Sequence, residues 1–261
     1  MAIFHYTKLS TLIEYILPTK MLRSNSFSEM NDPRESQPWT MGGVNLPFEK
    51  FFADYYNDDT HIDCQFKFGK MVKDRFQVIC FSGAQQEGWN NEMMWAHYAE
   101  QQMGVCLEFD EEELIKAVKE KFPSAKFSLQ PVKYTNEMKE KSWFHWSKQL
   151  SDEENFDNYS DILCRKVVFN KSHFWEKEDE KRLLFFSHTQ NLFLPYGYAL
   201  KAIYIGLFFP KHYLPVIEEL IDETQVRLYK LIYQDDKYIR WNLTRKEGEW
   251  WTSTVDEKHE N

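Results

Sequence analysis

The apolar residues fall into short runs, too brief for long buried helices and too irregularly spaced for repeating strand–helix–strand units. Residues 76–81 (FQVICF) and 104–109 (GVCLEF) are rich in branched and aromatic side chains. Runs of that length and composition read as buried strands. Residues 3–6, 181–186, 202–208, 226–233 and 238–241 read the same way, with 21–24 and 131–134 as shorter extended pieces. Helices lie between them. Leu9, Leu12, Ile13, Ile16 and Leu17 recur at helical spacing until Pro18 stops the pattern. Asp110 and Glu113 form a capping box for a helix reaching about residue 122. Residues 92–99 and 214–222 read as further helices, as do 48–56, 61–73, 136–150 and 159–169. This irregular alternation predicts an α+β fold, with helices around a mixed or antiparallel sheet that is either continuous or split.

One domain is expected over residues 1–251, followed by a polar, disordered tail at 252–261. Aromatic residues make up 17% of the chain, enough for its buried area to offset the entropy of ordering it. The net charge is −9, which gives no general attraction for phosphate backbones and no strong nucleic-acid signature. Only 9 of the 261 residues are glycine, and neither GxGxxG nor GxxxxGKS occurs. A nucleotide, if bound, must be held without a glycine-rich cradle. Cys64, Cys80, Cys106 and Cys164 form no CxxC pair and suit no zinc knuckle, so no metal site is expected. The opening MAIFHYTKLS has no basic stretch leading into an apolar one, and the longest apolar run is too short to span a bilayer. A cytoplasmic protein without membrane contact is the expectation.

Polar and aromatic residues recur in groups beside the strands. His5 and Thr7 close the first strand. Either they face a cleft, or Thr7 caps the next helix and His5 is structural. Asn31-Asp32-Pro33-Arg34-Glu35 carries a helix-start signature as well as turn chemistry. Trp95, His97 and Tyr98 share one short helix, where Trp95 and Tyr98 can share a face and stack on a planar ring or pack in the core. If residues 178–184 form a strand, Glu178, Glu180 and Arg182 point to one face. Two carboxylates that close repel unless something uses them, although charges on an edge strand can also deter aggregation.

Taken in order, HYT (5–7), NDPRE (31–35), CFS (80–82), MWAHYA (94–99), GVCLEF (104–109) and WEKEDEKR (175–182) resemble the family called domain of unknown function 2971. More distantly, the order of these pieces is similar to ADP-ribosyltransferases of the diphtheria-toxin and poly-ADP-ribose-polymerase type. That resemblance implies NAD as substrate rather than a tightly bound cofactor. It implies His5 on the ribose, Tyr98 or Trp95 against the nicotinamide, and Glu178 or Glu180 as the catalytic carboxylate. Thr7, Asn31, Asp32, His97 and Arg182 complete the expected substrate-binding set. Tyr6 stands where that fold carries a glycine, and Arg182 lies outside its pattern.

The expected function is NAD consumption by ADP-ribosyl transfer or glycohydrolysis, with a toxin or phage-defence effector as its setting. Glu180 is taken as the catalytic carboxylate and Glu178 as its support. A macromolecular acceptor is left unnamed. The alternatives are a non-catalytic module that binds a nucleotide or a protein, and a metal-dependent nuclease. The acidic balance weighs against the nuclease.

Overall fold

The computed structural model describes residues 1–36, 73–84, 88–135, 149–151, 154, 157–158, 167–187, 189, 191–246 and 249–255. The run GVCLEF becomes β5 (Val105–Asp110), where Val105, Cys106, Leu107 and Phe109 are fully buried. A strand that is apolar on both faces must be covered on both, and β5 is. It is flanked by β1 (Ala2–Thr7), antiparallel with Ala2 opposite Asp110 and Thr7 opposite Val105, and by β11 (Leu200–Ile205).

Among the described residues the main sheet has ten strands, in the order β14-β13-β12-β11-β5-β1-β4-β9-β6, with β3 also on β4. Its remaining members are β3 (Asn25–Ser26), β4 (Phe76–Ser82), β6 (Phe127–Pro131), β9 (Glu180–Phe186), β12 (Arg227–Gln234), β13 (Lys237–Lys246) and β14 (Glu249–Val255). Pairing is antiparallel except between β11 and β12. Two small sheets join β2 (Met21–Arg23) to β10 (Phe193–Pro195), and β7 (Lys133–Thr135) to β8 (Asn170–Ser172). The result is the single α+β domain with a mixed sheet that the irregular alternation predicts. The strand β14 continues through Val255, so residues 252–255, expected as tail, extend the sheet instead. The helices expected at 48–56, 61–73, 136–150 and 159–169 lie outside the described residues except for residues 73, 149–150 and 167–169.

One sheet face is covered by α1 (9–19), α4 (Glu111–Lys121) and α5 (Leu214–Ile221). Ile3, Phe81, Leu107, Leu183 and Ile203 meet Leu12, Ile16, Val118 and Ile217 there. Pro18 does not stop α1 but lies inside its last turn, and the chain leaves at Lys20 with φ 55°. The wider π turn over Leu12–Ile16 directly precedes the turn that holds this proline, which has no N–H to donate. The other face carries Phe4, Tyr6, Cys106, Tyr204 and Tyr229 under α3 (Glu92–Tyr98). Among the described residues, no helix is long and apolar enough to cross a membrane.

The seam between β1 and β4 is narrow, with only Phe4 opposite Ser82 in register. His5 bridges it by donating from Nδ1 to the Cys80 carbonyl at 2.9 Å. On the other face Gly88 lies flat on the Phe4 ring, where a Cβ would come within 1.8 Å of a ring carbon. The Tyr6 hydroxyl donates to the Gly88 carbonyl, fixing that approach. Gly88→Ala should therefore cost about 1–3 kcal/mol through overpacking, read as a lower urea midpoint at unchanged slope.

Candidate functional site

Alternation along β9 sets the site. Arg182 lies opposite Cys80 and Glu180 opposite Ser82, so all four share one face, together with Phe4. Lys181, Leu183 and Phe185 point to the other face. Glu178 is not on the strand. It ends a 3-10 turn (His173–Glu178), and Asp179, at φ 46°, turns the chain into β9.

Arg182 is wholly buried. Its Nε and Nη2 donate to the two oxygens of Glu180 at 2.7 and 3.0 Å. Nη2 also donates to Glu35 at 2.7 Å, and Nη1 donates to the Val168 carbonyl. The Phe27 ring lies under the guanidinium at 5.4 Å. Lys171, also buried, donates to Glu178 at 2.5 Å and to Glu180 at 3.0 Å, with the Trp175 ring 4.8 Å away. Tyr134 accepts from the Glu180 amide at 2.7 Å. The Cys80 thiol lies beside the Glu180 carboxylate. At the outer end Tyr98 donates to Glu178 at 2.7 Å, and Asn31 lies beside the same hydroxyl. Asn31 is exposed and Tyr98 is half-buried.

These contacts set the charge states. Burial alone would push Glu180 up. The nearby charges of Arg182 and Lys171, with their hydrogen bonds, outweigh it and hold the carboxyl at about 2. For Glu35 burial prevails over Arg182 and Lys171, and its pKa is raised. Burial would lower Lys171, but Glu180, Glu178 and Glu35 raise it well above the usual lysine range. Burial, then the charge of Glu180, pushes the Cys80 thiol up, which keeps it protonated and a poor nucleophile. Burial, then Glu178, raises Tyr98, so its hydroxyl remains a donor.

The structure thus brings Glu178, Glu180, Arg182, Tyr98 and Asn31 into one connected group. His5 and Thr7 are not in it. Both alternate to the opposite face of β1, where His5 sits edge-on to Phe81 at 5.8 Å. Thr7 does not cap α1 either, since the Leu9 amide is taken by Glu100 at 3.1 Å. Trp95 is fully buried against Tyr6, with its Nε1 donating to the Trp89 carbonyl, and has no face left for a ligand. His97 is exposed beside Tyr98. Asp32 is buried, and its carbonyl accepts from Glu35 and Ser36 to start α2 (Pro33–Ser36). Sequence reasoning missed Lys171, Glu35 as a partner of Arg182, Tyr134 and Cys80. A signal for Lys171 existed, because two carboxylates and one guanidinium on a buried face call for another cation. Among the described residues, no group of three or more His, Cys, Asp or Glu is arranged to hold a metal ion. The carboxylates face cations instead.

Residues 94–183 match a family model. It is that of the Protein of unknown function (DUF2971). The matched stretch runs from α3 to β9 and includes Tyr98, Lys171, Glu178, Glu180 and Arg182, while His5, Asn31 and Glu35 lie outside it. No curated protein and no solved structure matches the chain.

Replacing Arg182 by Met should cost about 3–5 kcal/mol in chemical denaturation, because it strands Glu35 and Glu180 without their cation. Acid should also be felt here. With its pKa depressed from 4.5 to about 2, Glu180 adds stability that is complete above pH 4.5 and lost as the pH falls toward 2. Glu35 works in the opposite sense, since a raised pKa adds stability at low pH that is lost as the pH rises through it. Urea midpoints measured across this acid range should fall steeply for the wild type and less steeply for Glu180→Gln.

Proposed function

We propose that this chain is an NAD-consuming enzyme, acting as an ADP-ribosyltransferase or NAD glycohydrolase through Glu178. The observation that carries this reading is the division of labour between the two glutamates. Arg182 chelates Glu180 through two nitrogens, and Lys171 adds a further contact, so Glu180 is fully engaged as a counter-ion. Glu178 is held by Lys171 on one oxygen and accepts from half-buried Tyr98, beside exposed Asn31, on the other. Glu178 is itself buried, so a ribose meets it only when the Tyr98 side chain gives way. Glu180, first expected to be catalytic, supports it.

In this chemistry the bond between ribose C1′ and the nicotinamide nitrogen breaks, and its electron pair goes to the ring nitrogen. The pyridinium becomes neutral nicotinamide without needing a proton. The ribose is left as an oxocarbenium ion, whose positive charge Glu178 opposes. Water or an acceptor hydroxyl adds at C1′ and gives its proton to Glu178. Tyr98 and Asn31 supply a donor and an amide for the ribose hydroxyls, and Tyr98 has the half-exposed ring that can lie against the nicotinamide. The reading does without His5, Thr7 and Trp95.

A second reading, a non-catalytic nucleotide- or protein-binding module, is favoured by the closure of the network, in which each carboxylate already has a cation. Nicotinamide release from NAD, with and without candidate acceptors, decides between the two. The purified protein should release nicotinamide, and Glu178→Gln should lower turnover by at least ~100-fold while calorimetry still detects NAD binding. Absence of both release and binding in the wild type selects the binding module.

A further inference from the structure

A groove of ≈ 690 Å³ lies on the sheet face opposite the charge network, between the end of α4 and the edge strand β6, which pairs with β9. Ile115, Lys119 and Phe122 line one side, and Phe127, Ser128 and Leu129 the other. Phe127 and Leu129 lie opposite Phe185 and Leu183, so their side chains point to the face that α4 covers. Ser128 alternates away from that face. Three consecutive strand residues can line one groove only if it runs along the strand's edge as well as over its face. The groove thus lies between the end of α4 and the edge of β6.

Among the described residues, β6 is the last strand on this side of the sheet. Its outer edge therefore presents backbone amides and carbonyls of the kind that template strand addition. The walls combine half-buried Ile115, Phe122, Phe127 and Leu129 with exposed Lys119 and Lys126, and among the described residues the lining contains no carboxylate. In a chain of net charge −9, this is a local reversal of sign. It favours an acidic occupant over a second copy, whose own groove carries the same lysines.

We propose that β6 and the end of α4 form a docking site for an extended acidic segment of another protein. The segment would add as a strand to β6, with apolar side chains alternating into the groove and carboxylates meeting Lys119 and Lys126. Backbone pairing supplies the register, and the lysines supply the choice of charge.

The test uses the full chain and two fluorescein-labelled decapeptides, one alternating Val with Glu and the other alternating Val with Lys. Fluorescence anisotropy should show the Glu peptide binding at least ~10-fold more tightly than the Lys peptide. The double variant Lys119→Glu/Lys126→Glu, altered only at exposed positions, should invert that preference. Hydrogen exchange at residues 127–130 should slow when the Glu peptide binds the wild type. Equal affinity for both peptides, binding of neither, or binding without slowed exchange on β6 overturns the proposal. A concentration-dependent dimer that the double variant alters in sedimentation also overturns it, and assigns the edge to a second copy.

Discussion

Arg182 is the contact on which the middle of this molecule depends. Its guanidinium is fully buried, and it joins β9 to itself through Glu180, to α2 through Glu35 and to the chain before β8 through Val168. Of these pieces, α2 lies farthest off in sequence, with Glu35 147 residues from Arg182. A guanidinium suits this place because its planar fork can serve several acceptors at once without losing its charge. Lys171, a point charge on a flexible stem, then closes the gap between Glu180 and Glu178. A buried group of this kind adds little net stability over a well-packed apolar one, and removal of any single member is far more harmful than its presence is helpful. What it provides is a fixed geometry for carboxylates at the mouth of a turn.

Much of the frame was legible. FQVICF and GVCLEF became β4 and β5 because short, branched and aromatic runs have little choice but to be buried in a sheet. The alternation of Glu180 and Arg182 also survived, since both stay on one face of β9. Glu178 reaches the same group by another route. The left-handed turn at Asp179 breaks the strand, and no periodicity could show that the side chain before it folds back onto Lys171. The order of motifs suggested that His5 joins the glutamates. Strand parity decides otherwise, because Phe4, its neighbour, takes the face shared with Ser82 and Glu180. Register across three strands fixes that parity, and register is set by tertiary pairing that the sequence alone does not display.

The long-range partners were the least legible part. Glu35 sits in a stretch whose Asn, Asp and Pro already account for a turn, so nothing local marks its carboxylate as buried. Trp95 and Tyr98 looked equivalent on one helix face. Packing separates them, with Trp95 filling the core beneath α3 and Tyr98 left at the boundary beside Glu178. Sequence pattern can nominate such a pair, but only the depth of burial divides a core ring from one that can meet a ligand.

The central claim is that the working carboxylate is Glu178, on the sheet face away from His5. A crystal structure with a non-hydrolysable NAD analogue tests it most directly. The account predicts the nicotinamide ribose within hydrogen-bond reach of Glu178 and Tyr98, with Glu180 still chelated by Arg182. An analogue bound on the His5 face of β1, or one whose ribose contacts Glu180 after Arg182 has let go, would contradict it.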